Sequence, residues 1–277
     1  MPRFSRSRAE LQMRQVLGVG LVMALLCPAA ASALPGSGPH ETIDIRLSTK
    51  STNTSTALTY AATYHAANNA QGDPPSLRRL VIRANKGLRI DTTVRPECRA
   101  TDAEFKNKGK AACPSASNIG SGFANLKTLG LFTSRFDTTI FNAPRAQAEI
   151  VQSGGMTFAV ARTFFRSDGT VDGPVPTCIT GGSPPDGCPT DESALLSQSL
   201  TTRAISTGHG AHRRNYLTTP KTCPRSRLWR TPVTLYYADG TVETVVTRQP
   251  CVPAKTARHR HRRHHRPAAR QSPRFTG

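Results

Sequence analysis

The chain has 277 residues, with 37 Lys and Arg against 17 Asp and Glu, for a formal net charge of +20. That length gives room for one large β domain or two small ones, and the charge favours polyanionic partners without specifying a fold. No apolar run reaches the length needed to span a bilayer as a helix, and no C-x-x-C pair offers the usual zinc spacing.

In chain order, the first segment reads as a signal peptide over residues 1–33. Arg3, Arg6, Arg8 and Arg14 face a single acid, Glu10, and residues 16–26 are an unbroken apolar run. Pro28 breaks that run, and Ala31-Ser32-Ala33 puts small residues at the cleavage-determining positions. The expected route is of the Sec type, with cleavage after Ala33 and an extracellular or cell-surface destination. Cys27 is not a lipoprotein signal, because Leu26 stands where a small residue is required.

Removal of the signal leaves Cys98, Cys113, Cys178, Cys188, Cys223 and Cys251. An even set behind a signal peptide reads as disulfides. Six cysteines allow fifteen pairings. Bonds between sequence neighbours are the expectation: Cys98–Cys113, Cys178–Cys188 and Cys223–Cys251.

Residues 34–40 form a flexible start. Residues 43–48 read as a strand with Ile43, Ile45 and Leu47 on one face, and residues 56–67 as a second. Strands over 77–84 and 88–94 flank a turn at Asn85-Lys86-Gly87, with Leu80 and Ile82 inward. Residues 101–109 read as a short exposed helix, and 113–122 as a turn-rich segment. Further strands are expected over 138–142, 148–151 and 156–165, then a hairpin turn at Ser167-Asp168-Gly169-Thr170. Residues 172–192 and 207–215 read as loops.

The strongest local pattern is a hairpin over 229–248. Val233, Leu235 and Tyr237 alternate with Thr234 and Tyr236, and Asp239-Gly240 makes the turn. Pro232 places the start of its strand at or near an edge. Many short strands with Gly and Pro turns define the fold class as all-β. One large β-sandwich over 41–253 is the expectation, and two β subdomains split near 125–150 are the alternative.

Residues 254–277 make a disordered tail rich in His and Arg, with almost nothing apolar to bury. Arg258, His259, Arg260, His261, Arg262, Arg263, His264, His265 and Arg266 are the candidate surface-binding residues. They suit anionic cell-envelope polymers through counterion release, without specific nucleic-acid readout. Capture of a metal by the tail histidines is a weaker alternative.

No catalytic, cofactor-binding or metal set stands out. Gly120-Ser121-Gly122 lacks the G-x-S-x-G elbow. Asp73, Asp168, Asp186 and Asp239 sit in turns and are expected to bond their own backbone. His209 and His212 would need a third ligand. Trp229 reads as a core or rim anchor, with sugar stacking alongside Tyr236 and Tyr237 as the functional alternative.

Two stretches resemble uncharacterised secreted proteins of actinobacteria. One runs from Pro75-Ser76-Leu77 to Cys98 and on through Ala112-Cys113-Pro114 and Asn118-Ile119-Gly120-Ser121-Gly122. The other runs from Tyr216 to Cys223-Pro224, then Trp229 and the 237–241 turn up to Cys251. That resemblance implies export and a β-rich fold, and carries over no catalytic residue. The expectation for function is a secreted or envelope-associated, non-enzymatic β protein. A polysaccharide-acting enzyme or a carbohydrate-binding module is the alternative.

Overall fold

A computed structural model describes residues 33–254. All but the last residue of the expected signal peptide, and the tail from residue 255 with Arg258 to Arg266, lie outside the described residues.

The described chain is all-β. Its first strands are β1 (Gly36–Ser37), β2 (Glu41–Leu47), β3 (Leu58–Tyr64), β4 (Leu77–Arg83) and the two-residue β5 (Arg89–Ile90). The helix α1 (Asp102–Lys108) follows, then β6 (Asn118–Thr128), β7 (Phe132–Ala143), β8 (Ala146–Ser153), β9 (Met156–Phe165) and β10 (Thr170–Pro174). The remainder comprises β11 (Ser193–Thr202), β12 (Ser206–Thr207), β13 (Arg214–Asn215), β14 (Leu217–Thr218), β15 (Leu228–Tyr237) and β16 (Val242–Pro250).

Twelve of these strands form one antiparallel sheet in the order β1-β2-β3-β11-β6-β7-β8-β9-β10-β4-β15-β16. Its two ends meet where Leu34 and Arg248 exchange backbone hydrogen bonds of 2.7 and 2.9 Å, so the sheet closes nearly to a barrel. The layers that face each other across the core are opposite walls of this one sheet. Such closure removes the exposed edges that an open sheet presents.

Period-2 patterning builds the walls. Ile43, Ile45 and Leu47 of β2 and Val233, Leu235 and Tyr237 of β15 point inward as their alternation predicts, all buried. The Asp239-Gly240 turn forms, with Gly240 at φ +87° and Asp239 accepting the Thr241 N–H. Pro232 sits just before the stretch where β15 pairs with β4, so its missing N–H leaves that ladder intact. All three expected disulfides are present.

A second apolar cluster lies outside the barrel. There α1 lays Phe105 on Phe141, Ala148, Ile150 and Val160 of β7, β8 and β9. The helix is started by a capping box: Thr101 accepts from the Glu104 N–H, and Glu104 accepts from the Thr101 N–H. Cys98–Cys113 ties the segment down on both sides. The helix is therefore not merely exposed; its Phe105 is fully buried.

Several expectations need correction. The turn at Asn85-Lys86-Gly87 forms, but it does not join a hairpin. Residues 88–94 give only β5 and a 3-10 turn, because β4 pairs instead with β10 and β15. Gly120-Ser121-Gly122 lies within β6, not in a turn. A Cβ on Gly122 would come 1.9 Å from the Ser199 carbonyl oxygen, so these glycines permit a close backbone approach by β11. The strand β11 had no sequence-based expectation at all.

Candidate functional site

The interior of the barrel is incompletely filled. A cavity of about 180 Å³ lies within it, lined by side chains of β2, β3, β4, β6, β8, β9, β10, β11 and β15. Small side chains line it on β9, namely Ala159, Ala161 and Thr163, and Gly173 of β10 lets the β9 backbone approach closely, where a Cβ would come 2.7 Å from the Arg162 carbonyl oxygen. Leu80, Ile82, Ala159, Ala161 and Phe165 all point inward yet remain only half-buried, because they face open space. A packed interior leaves few voids larger than a water molecule. Apolar cavities of about 150 Å³ admit benzene or xenon, so this volume has room for a small organic molecule.

The lining is dominated by aliphatic and aromatic carbon, with a few polar groups. Glu149 of β8 is the only acid among the lining residues, and no Lys, Arg or His joins it. It is 6 % exposed and accepts a 2.8 Å hydrogen bond from Gln147 Nε2. Burial pushes its carboxyl up to about 7, against the lowering effect of the Gln147 donor. Tyr216 and Trp229, also on the lining, are buried, and neither Tyr216 Oη nor Trp229 Nε1 has a hydrogen-bond partner. Buried donors without partners are uncommon in finished cores and are suited to meeting a ligand's acceptor.

A second polar cluster lies between β2, β3, β15 and β16. Tyr237 Oη donates to Glu41 Oε2 at 2.6 Å, His40 Nδ1 lies 2.5 Å from Glu243 Oε1, and Tyr60 and Tyr64 share a 2.7 Å hydroxyl contact. Burial, then hydrogen bonding with Glu243, raises the Glu41 carboxyl well above the usual range. Burial works against ionisation of Glu243, but bonding to Glu41 and His40 outweighs it and holds that carboxyl low. Burial thus favours the protonated form of Glu41, while Glu243 is held as the stronger acid of the two. Neither lines the cavity, and Glu41 is fully buried, so the pair braces the barrel end rather than facing a substrate.

The other sequence candidates stay apart from the cavity. Ser121 is an exposed residue of β6. His209 and His212 lie on an exposed turn, and no group of three or more metal-ligating side chains is assembled among the described residues. Asp168 and Asp239 bond their own turns, whereas Asp73 reaches Lys127 at 2.5 Å. Trp229 and Tyr237 are 3 % and 4 % exposed, so they form no external stacking platform; Trp229 instead lines the cavity.

Glu149 was missed for a physical reason. In Gln147-Ala148-Glu149-Ile150, alternation alone assigns Ala148 and Ile150 to the core and the polar pair to water. Here α1 covers the outer face, so both faces of β8 are buried and the assignment inverts. The only sequence hint was that 101–113 carries a helix with a disulfide anchor.

Fold and cavity together define the class: a disulfide-bonded, nearly closed antiparallel β-barrel with a largely apolar cavity lined by one carboxyl. No family model, curated protein or solved structure matches the chain.

Proposed function

We propose that this is an exported, non-enzymatic binding protein that holds a small, largely apolar molecule inside its barrel. The observation that carries this reading is the unfilled apolar cavity of about 180 Å³, together with the unpartnered Tyr216 and Trp229 polar atoms at its wall. Ligand pockets combine an apolar lining with a few polar groups that fix orientation, and barrel interiors are a common place for them.

Export is supported by the signal-like residues 1–33 and by the three disulfides, which are consistent with an extracellular location. Leu34, the first residue after the expected cleavage point, is also the first to bridge to Arg248, and an α-ammonium at that position retains its donor. The resemblance to secreted actinobacterial proteins fits the same picture. The basic tail, with Arg258 to Arg266, serves as the segment that attaches the protein to anionic envelope polymers.

Calorimetric titration with benzene and indole tests the binding reading. The native protein binds at least one of them with sub-millimolar affinity, and Ala159→Leu, which extends a side chain into the cavity, weakens binding at least tenfold. Absence of binding by both compounds overturns the reading.

A further inference from the structure

We infer that Glu149 makes the barrel selective for amines: the natural ligand is a small apolar molecule carrying one basic nitrogen, whose ammonium group pairs with this carboxylate. The inference rests on the binding function proposed above and names its ligand class.

The geometry is one-sided. Glu149 projects from β8 into the cavity between Ile140 of β7 and Ala161 of β9, both uncharged. Its one hydrogen bond in the structure comes from Gln147, a neutral donor. The other titratable residues on the lining are Tyr60 and Tyr216, whose hydroxyls burial raises further from neutrality. Among the described residues no Lys, Arg or His lines the cavity, so a carboxylate there has no countercharge from them. A buried charge is tolerated when paired and hydrogen-bonded. An ammonium group supplies both the charge and the donors, while the alkyl or aryl body fills the apolar space. An anionic ligand would meet a second negative charge, and a neutral alcohol would leave the charge unpaired.

The proton balance follows. An aliphatic amine is already protonated at neutral pH. Pairing requires Glu149 to be ionised, so in the pH range where Glu149 holds a proton, binding releases that proton to solvent. Amine affinity therefore falls as pH drops, by up to about tenfold per pH unit below the Glu149 titration. Glu41, Glu243 and His40 also sit on the barrel's inner framework, but none lines the cavity.

The test is calorimetric titration of the full exported chain with hexylamine, hexan-1-ol and hexanoate. At pH 7 we expect hexylamine to bind at least tenfold more tightly than hexan-1-ol, and hexanoate most weakly. Between pH 7 and pH 5 the hexylamine affinity falls at least tenfold, while that of hexan-1-ol changes less than threefold. Glu149→Gln removes the amine preference and retains hexan-1-ol binding. Equal binding of amine and alcohol by the native protein, which needs no variant, overturns the inference while leaving the binding function standing. So does an amine preference that survives Glu149→Gln. Failure of both benzene and indole to bind overturns the binding function itself.

Discussion

Glu149 shows how far a residue's role depends on what covers the strand behind it. Its neighbours Ala148 and Ile150 look like core and are core, but of the outer cluster beneath α1. Strand alternation was legible in the sequence; which face met the barrel interior was not. Glu41 was nearer to reach, since it shares the inward parity of Ile43, Ile45 and Leu47. Both carboxyls are raised by burial, which fixes a sign for stability. A folded-state value above the unfolded one means that the folded protein holds the extra proton; stability is full below about 4.5 and declines as pH rises through about 7. For Glu149 the shift from 4.5 to about 7 corresponds to roughly 3 kcal/mol lost by pH 8. Thermal unfolding should show Tm falling between pH 5 and pH 8, and Glu149→Gln should flatten part of that slope. A Tm that rises over this range would contradict the assignment.

At the scale of elements, the legible parts were those with a local cause. The capping box of Thr101 and Glu104, the Asp-Gly hairpin turn and the period-2 run of β15 each carry their own signal. Strand β9 spans the expected residues 156–165. What escaped reading depends on distant partners. The strand β11, Ser-Ala-Leu-Leu-Ser-Gln-Ser-Leu-Thr-Thr, has little β-branched content until its end, and is held in place by β3 and β6 on its two sides. Gly120 and Gly122 look like a turn because the backbone crowding that requires them comes from β11. Gly122→Ala should therefore destabilise the fold by about 3 kcal/mol, through forced displacement of the Ser199 carbonyl. Denaturant unfolding measures this, and a loss below about 0.5 kcal/mol would show that β6 and β11 separate easily.

For the whole molecule, the all-β class followed from composition and turn spacing, and the disulfide pairing from sequence neighbours. Near-closure of the sheet did not, because the contact that joins its ends links Leu34 with Arg248, across almost the full described length. The cavity was equally invisible. It is lined by small side chains of β9 together with larger ones of β3 and β11, a balance of volumes between distant strands that no local pattern encodes. The chain is basic overall, yet the one titratable acid among the residues lining its cavity is Glu149. The most direct measurement of the central claim is a crystal structure of the protein under xenon pressure. The account predicts xenon density inside the barrel, bounded by Ala159, Ala161 and Leu80. Density confined to the outer surface, or an interior closed by those side chains, would contradict it.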